Sequence, residues 1–288
     1  PNLIFVGTEN GLWVSFDNGN NFQQWKNDYP SVSTYDMAIQ EREADLVVAT
    51  FGRAIYIFDD IRPLRKAASN NGVLFSKKLT LFQAPVAYMA NYRPETGYDW
   101  SSWGLYEGEN RHSGAPYSYF IKPTEKKDAP KNMKADSATV KIYDKDNELI
   151  RTLKMKVDTG FNRNSWGFEM KGIRRPGSPK PKPNSQEPGG VAVFPGTYKL
   201  VMLVGKETDS TMIVVKEDPN VPENKEIYEA KMAMLKRLDK STLRLTEITD
   251  RLSDAEATIS KVEAQLKNEE GKQVDSLRKE SNAMKDSI

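Results

Sequence analysis

The composition of the chain changes abruptly near residue 223, and this change constrains the fold more than any other feature. Before it, aromatic residues, glycines and prolines punctuate short apolar runs, a pattern typical of strands and turns. After it there is no proline, one glycine, Gly271, and one aromatic residue, Tyr228. Such a stretch indicates helix. Pro219 and Pro222 mark the boundary, because proline ends strands and can open helices. We therefore predict a mainly β plus α chain.

Two residue counts restrict the chemistry. The sequence has no cysteine and one histidine, His112, which excludes thiolate sites and multi-histidine metal sites. The 42 Lys+Arg against 40 Asp+Glu give a net charge of +2, which argues against nucleic-acid binding. No run of eighteen apolar residues occurs, so we predict no transmembrane segment. We expect no cofactor and no metal, and any catalysis would rest on carboxylates.

Residues 1–66 show the pattern of short antiparallel strands. The apolar runs on either side of Asn10-Gly11 predict a β-hairpin. Strands are also predicted over 34–39, 45–50 and 54–58, and this spacing is typical of a β-meander. Between them lies a tight-turn pattern, in which an aspartate accepts backbone N–H groups, a glycine takes a positive φ, and an aromatic ring folds back. Its residues are Ser15, Asp17, Gly19 and Phe22.

This turn resembles the Asp-box, or BNR repeat, of sialidase-type and sortilin-type β-propellers, with Phe22 in place of the usual tryptophan. Residues 45–60, with the turn Phe51-Gly52-Arg53, resemble the final propeller segment of bacterial sortilin-type proteins often labelled glycosyl hydrolases. The resemblance implies that 1–66 form the last blade segment or segments of a propeller. It also implies that further blades precede Pro1, that the turn is structural, and that the protein is exported in a Gram-negative bacterium.

Residues 67–116 are an irregular, aromatic-rich connector. Its rings stand close to carboxylates, as on sugar-binding surfaces where a ring stacks on a pyranose. The alternative, which we favour, is a long loop that packs its own rings. The candidate glycan or partner surface consists of Tyr98, Trp100, Trp103 and Tyr106.

Residues 117–218 contain about six predicted strands, which suits an immunoglobulin-like β-sandwich. Among them are strands over 138–143 and 165–170. The segments around Trp166 and Pro195-Gly196-Thr197-Tyr198 resemble immunoglobulin-like modules that follow bacterial propellers. We predict that Trp166 is a core ring. The basic, proline-rich segment 171–190 reads as an extended loop.

Residues 219–288 carry a heptad pattern. Leu238, Leu245, Leu252, Ile259 and Leu266 stand seven apart, which predicts a coiled-coil seam. Gly271 interrupts the pattern and can end the helix. We therefore predict a helical hairpin, which packs on itself or binds a partner.

No convincing catalytic group emerges from these residues. Asp59 and Asp60 are adjacent, and neighbours in a strand point to opposite faces, so capping the turn before Arg62 is favoured over an acid–base pair. Our first hypothesis is a non-catalytic interaction or scaffold segment of a secreted, periplasmic or cell-surface protein. Its partners would be proteins of an outer-membrane assembly, or glycans. The alternative is a glycoside hydrolase whose carboxylates lie on blades outside this chain.

Overall fold

A computed structural model describes residues 2–69, 76–90, 113–123, 137–182, 185–221 and 225–287. The chain forms two compact units. The first comprises residues 1–169 and 192–222, and the second comprises 170–191 and 223–288. Strands dominate the first unit and helices the second, so the predicted combination of β and α structure is confirmed at this level. The finer division at residues 66, 116 and 218 stays a prediction.

The amino-terminal part of the first unit consists of two antiparallel sheets. One contains β1 (Ile4–Thr8), β2 (Gly11–Ser15) and β3 (Gln23–Gln24); the other contains β4 (Thr34–Gln40), β5 (Asp45–Thr50) and β6 (Ile55–Phe58), followed by helix α1 (Arg62–Ser69). Thr8 pairs with Gly11 across a two-residue turn, so the hairpin predicted from Asn10-Gly11 is confirmed.

These two sheets share one hydrophobic core. Its buried members come from β2, β5, the loop before β4 and the approach to α1: Leu12, Tyr29, Ala44, Leu46, Val48 and Ile61. Alternate residues of β5 are buried, as expected for a strand with one face in a core. Gly7 in β1 lies so close to Thr34 that an added Cβ would come within 2.8 Å of its Cγ2. Glycine therefore allows the two sheets to approach each other.

The rest of the first unit is built on two further sheets. Their strands are β7 (Leu79–Leu81), β8 (Ala87–Tyr88), β9 (Ala115–Ile121), β10 (Ser137–Tyr143), β11 (Leu149–Lys156), β12 (Gly160–Trp166), β15 (Gly196–Val204) and β16 (Glu207–Lys216). A two-stranded ribbon of β13 (Glu169–Lys171) and β14 (Gly189–Ala192) lies mostly in the second unit. One sheet has the order β11-β10-β15-β16-β8 and the other β12-β9-β7. Buried residues alternate along β10 and β15, which places one face of the larger sheet in a core.

Trp166 belongs to this core, as predicted. Its side chain is 1% exposed, and its ring meets that of Tyr198 edge-on at 5.1 Å. Its indole Nε1–H donates to the carbonyl of Glu169 at 2.9 Å, which satisfies the one polar group of the ring.

The predicted strand over 165–170 is wrong in its boundaries. The chain instead forms β12 up to Trp166, breaks, and resumes as β13 at Glu169. Phe168 has a φ of 61°, a conformation that ends an extended run. The first half of β12 was missed because its exposed and half-buried positions are mostly polar, so no apolar alternation announces it.

The second unit combines two helices with the segment 170–191. Helix α2 (Lys225–Leu266) and helix α3 (Lys272–Ser287) are joined through Gly271, whose φ is 139°. The Arg278 guanidinium donates to the Leu266 carbonyl at 2.6 Å, and Lys285 pairs with Glu263 at 3.1 Å. The predicted helical hairpin is thus confirmed. Among the described residues, no helix is both long and apolar enough to cross a membrane.

Candidate binding cleft

The turn at residues 15–22 is closed by its own hydrogen bonds. The Ser15 hydroxyl donates to the Asp17 carboxylate at 2.8 Å and accepts the Gly19 N–H at 2.9 Å. Asp17 also accepts the backbone and side-chain N–H groups of Asn21 at 2.9 and 2.7 Å. These bonds, led by the Asn21 side chain, lower the pKa of Asp17. The carboxylate therefore serves the turn, while its resemblance to an Asp-box stays a prediction.

The other candidate surface of the sequence cannot be placed. Tyr98, Trp100, Trp103 and Tyr106 lie outside the described residues, and so does His112.

The structure instead shows an open cleft of about 400 Å³ in the first unit. It lies between strand β12 on one side and the end of β6 with the start of α1 on the other. The walls combine aromatic, acidic, amide and basic side chains: Trp25, Asn27, Asp28, Tyr56, Phe58, Asp59, Asp60, Ser118, Phe161, Asn162 and Arg163, with Ile57, Ile61, Pro63 and Leu64.

The aromatic residues of the cleft are held by one another. Trp25 meets Phe58 edge-on at 5.4 Å, and Tyr56 meets Tyr29 at 4.9 Å. On the opposite wall, Phe161 packs at 5.2 Å from Phe120. Edge-on rings at these distances fix each other's orientation. The cleft therefore has preformed apolar walls.

Arg163 spans the cleft and ties its two walls together. One guanidinium nitrogen, Nη2, donates to the carbonyl oxygens of Asp59 and Asp60 at 2.7 and 3.1 Å. Its Nε–H donates to the Ser118 hydroxyl at 3.3 Å, and Nη1 lies 3.9 Å from the Asp59 carboxylate. Because one cation takes two carbonyls and a carboxylate, these residues act as a clamp.

The two neighbouring aspartates have different partners. Asp60 accepts the backbone N–H of Arg62, the first residue of α1, at 3.3 Å and also pairs with its guanidinium. Asp60 therefore caps the turn before Arg62, as predicted. Asp59 instead faces Arg163.

The rings, the amide groups and the Arg163 guanidinium that line the cleft can hold a ligand. Two of its carboxylates are engaged, Asp59 by Arg163 and Asp60 by Arg62, and Asp28 lines the cleft as a third. Within the described residues, no group of three or more histidine or acidic side chains could hold a metal. No local sequence pattern indicates this cleft, because Arg163 and Asp59 are 104 residues apart.

Removing the Arg163 clamp should loosen the cleft measurably. Arg163→Met keeps the aliphatic length but loses all three donated hydrogen bonds, and we expect a loss of about 1–2 kcal/mol, since water can partly replace them at this half-exposed site. Urea unfolding and faster amide exchange at 59–64 would show it. Arg42→Met is the matched control, because Arg42 is exposed and pairs only with adjacent Glu43. Equal effects of both substitutions would contradict the clamp.

Comparison with known proteins gives this chain no family. No family model matches it, and no curated protein does. Among solved structures it is similar to the BSP domain of a biofilm-associated protein, with 9% identity and a TM-score of 0.24 over 76% of this chain and 30% of that one. It is also similar to the extracellular domain of a B. thetaiotaomicron hybrid two-component system, with 8% identity and a TM-score of 0.19 over 74% and 25%. At these TM-scores neither likeness supports a fold or a function for this chain.

Proposed function

We propose that this chain is a non-catalytic interaction segment of a secreted, periplasmic or cell-surface protein. In this proposal the sheets β1–β3 and β4–β6 are propeller blades, the sheets around Trp166 form an immunoglobulin-like sandwich, and the helical hairpin is an assembly arm. Its partners are proteins, in an outer-membrane complex, with glycans as a second class of ligand.

The observation that carries the proposal is the outer face of the sheet β4–β6. On this face, opposite the shared core, strand register places Ala38, Val47, Ala49, Ile55 and Ile57 side by side, with Asp36 next to Ala49 at one edge. Ile55 and Ile57 are 65% and 62% exposed. A sheet that is apolar on both faces is stable in water when both are covered, and exposed apolar patches mark interaction sites.

The rim of this outer face extends the apolar surface. Phe51 and Tyr35 are both strongly exposed, and their rings lie 6.0 Å apart. Face-to-face packing of blades is how a propeller covers such a surface, and β4–β6 already packs in this way on β1–β3 through Leu12 and Leu46. The outer face is therefore suited to a further blade or to a protein partner.

The immunoglobulin-like part of the proposal is supported by Tyr198. Its hydroxyl donates to the Phe194 carbonyl, four residues upstream, at 2.6 Å. This bond resembles the tyrosine corner of immunoglobulin-like sandwiches. Burial raises the pKa of Tyr198 to about 12, so the hydroxyl stays protonated and keeps donating.

Charging the outer face should release the partner without unfolding the chain. In the producing cell, we expect Ile55→Lys with Ile57→Lys to lower the mass of the native assembly on a native gel. Because both side chains are exposed, the expected cost in stability is within about 0.5 kcal/mol each. The matched control is Thr208→Lys with Ser210→Lys, which adds the same charge of +2 at two exposed alternate positions of strand β16. A native mass unchanged in the face variant would contradict the proposal.

The glycoside hydrolase alternative is tested on the same native material. Incubated with a panel of polysaccharides, it should release no reducing ends. Release that disappears when two inward-facing carboxylates of the intact protein are replaced would overturn the non-catalytic proposal.

A further inference from the structure

We propose that residues 234–252 of helix α2 form a docking surface for an acidic amphipathic helix of a partner protein. This names a partner class for the interaction role proposed above and rests on it. We call this surface the α2 seam, and it consists of Met234, Leu238, Leu245, Ile248 and Leu252, flanked by Arg237, Arg244 and Arg251.

The apolar part of the α2 seam is uncovered. Its five side chains are between 42% and 73% exposed, although they follow the heptad positions a (Leu238, Leu245, Leu252) and d (Met234, Ile248) that a coiled coil buries. The third d position within the seam is Ser241. A stripe of this regularity along five turns is a preformed half of a helix–helix interface.

Part of the side of α2 opposite the seam is in contact with the segment 170–191 of the second unit. Thr246 donates to the carbonyl of Arg174 at 2.9 Å, and the Arg174 guanidinium pairs with Asp250. Lys180 pairs with Asp254 at 3.1 Å. At about 100° per residue, these positions lie roughly 100–180° around the helix from the seam. The segment 170–191 therefore holds the back of α2.

Helix α3 covers only the far end of the stripe. It contacts α2 through Arg278, which donates to the Leu266 carbonyl, and through the Lys285–Glu263 pair. Ile259 and Leu266 are accordingly half-buried, whereas Leu238, Leu245 and Leu252 are exposed. Helix α3 thus partly covers the last two heptads, and the apolar side chains of 234–252 stay exposed.

One flank of the seam is uniformly basic. Arg237, Arg244 and Arg251 stand seven apart at the g positions, next to the apolar stripe, and all three are exposed. Within the described part of the chain, none of them bonds to another side chain through its guanidinium. The e flank presents Leu235, Thr242 and Thr249 over the same turns. Charges at e and g select coiled-coil partners, so this flank selects carboxylates.

A second copy of the chain matches this surface poorly. Antiparallel pairing brings g against g, so Arg237, Arg244 and Arg251 would meet arginines. Parallel pairing brings g against e, which sets Arg237 and Arg244 against neutral Thr242 and Thr249 and leaves Arg251 with Glu256 as the one favourable pair. An acidic partner helix neutralises all three arginines. The charges of the seam therefore favour such a partner over a second copy of this chain.

An anionic membrane surface also matches the α2 seam less well. Helices that lie on membranes carry basic residues over much of their polar face. The polar face of α2 carries as many acidic as basic side chains along its length, and Asp239, Glu247 and Asp250 stand on the turns of the seam itself. Next to the apolar stripe the basic side chains are Arg237, Arg244 and Arg251 on one flank, whereas Lys236 and Lys240 lie off the seam among these acidic residues.

The test uses the full chain and two synthetic four-heptad peptides with leucine at a and d. One peptide has glutamate at e and g, and the other has lysine. By fluorescence anisotropy, we expect the wild-type chain to bind the glutamate peptide at least about tenfold more tightly than the lysine peptide. Arg237→Glu, Arg244→Glu and Arg251→Glu together should reverse this preference. The matched control is Lys236→Glu, Lys240→Glu and Lys261→Glu, which changes the net charge equally but off the seam, and should leave it intact.

Three results would overturn the inference. They are equal binding of both peptides, a concentration-dependent dimer that excludes the glutamate peptide, and binding to phosphatidylglycerol vesicles without discrimination between peptides. Leu245→Asp gives a second check, since it should abolish peptide binding while far-UV circular dichroism stays unchanged. None of these substitutions alters the outer face of β4–β6. Loss of peptide discrimination with an unchanged response of the native assembly to the Ile55 and Ile57 substitutions would therefore contradict this inference alone.

Discussion

Trp166→Ala should open the core around Trp166 and disrupt one wall of the cleft. The ring is almost wholly buried and packs edge-on against Tyr198, so its removal leaves a large cavity, which typically costs about 3–5 kcal/mol. The bond from its Nε1–H to the Glu169 carbonyl is lost as well. Because Trp166 ends β12, the strand that carries Phe161 and Arg163, we expect the loss of packing to reach the cleft.

Native-state hydrogen exchange measures this effect locally. Amides of β9 and β15, which flank the ring, should exchange at least about a hundredfold faster in Trp166→Ala. Should that variant fail to fold, Trp166→Phe keeps an aromatic ring and loses only the hydrogen bond and part of the volume, for about 1–2 kcal/mol. Protection unchanged in both variants would contradict the central place of Trp166.

The features predicted correctly from sequence have local causes. The Asn10-Gly11 hairpin depends on two adjacent residues, and its register follows from the turn. The hairpin of α2 and α3 depends on a seven-residue spacing interrupted at Gly271. The place of Trp166 in the core follows from its size among alternating strands. In each case the signal is a pattern within one continuous stretch of the sequence.

The cleft and the contacts between α2 and the segment 170–191 depend on residues that are far apart in the sequence, so no local pattern predicts them. Arg163 reaches the carbonyls of Asp59 and Asp60 across more than a hundred residues, and backbone carbonyls leave no trace in side-chain sequence. The sequence predicts the basic, proline-rich segment 171–190 to be an extended loop, yet Arg174 and Lys180 pair with Asp250 and Asp254 on α2. Because basic and acidic residues are nearly equal in number, the composition does not indicate which of them pair.

Strand β12 links stability to the proposed binding role. At one end Trp166 is buried in a core of the first unit, and Arg163 and Phe161 form a wall of the cleft. Its partner β9 pairs along its whole length, from Gly160 opposite Ile121 to Trp166 opposite Ala115. A substitution near the Trp166 end of this pair should therefore affect the core, whereas one at the other end should not. Gly114 and Gly160 lie at these two ends and allow the comparison.

Gly114→Ala should destabilise the first unit far more than Gly160→Ala. Both glycines have a positive φ, 110° and 95°, so alanine strains the backbone at each by about 1–3 kcal/mol. At Gly114 an added Cβ would also lie 2.4 Å from the Trp166 carbonyl oxygen, whereas at Gly160 nothing lies within 4 Å. Backbone cannot swing aside as a side chain can, so the end of the β9–β12 pair must separate, at a further cost of about 2 kcal/mol or more. Urea unfolding followed by far-UV circular dichroism measures the difference, and equal losses for the two variants would show that strain alone matters and that the contact with Trp166 does not.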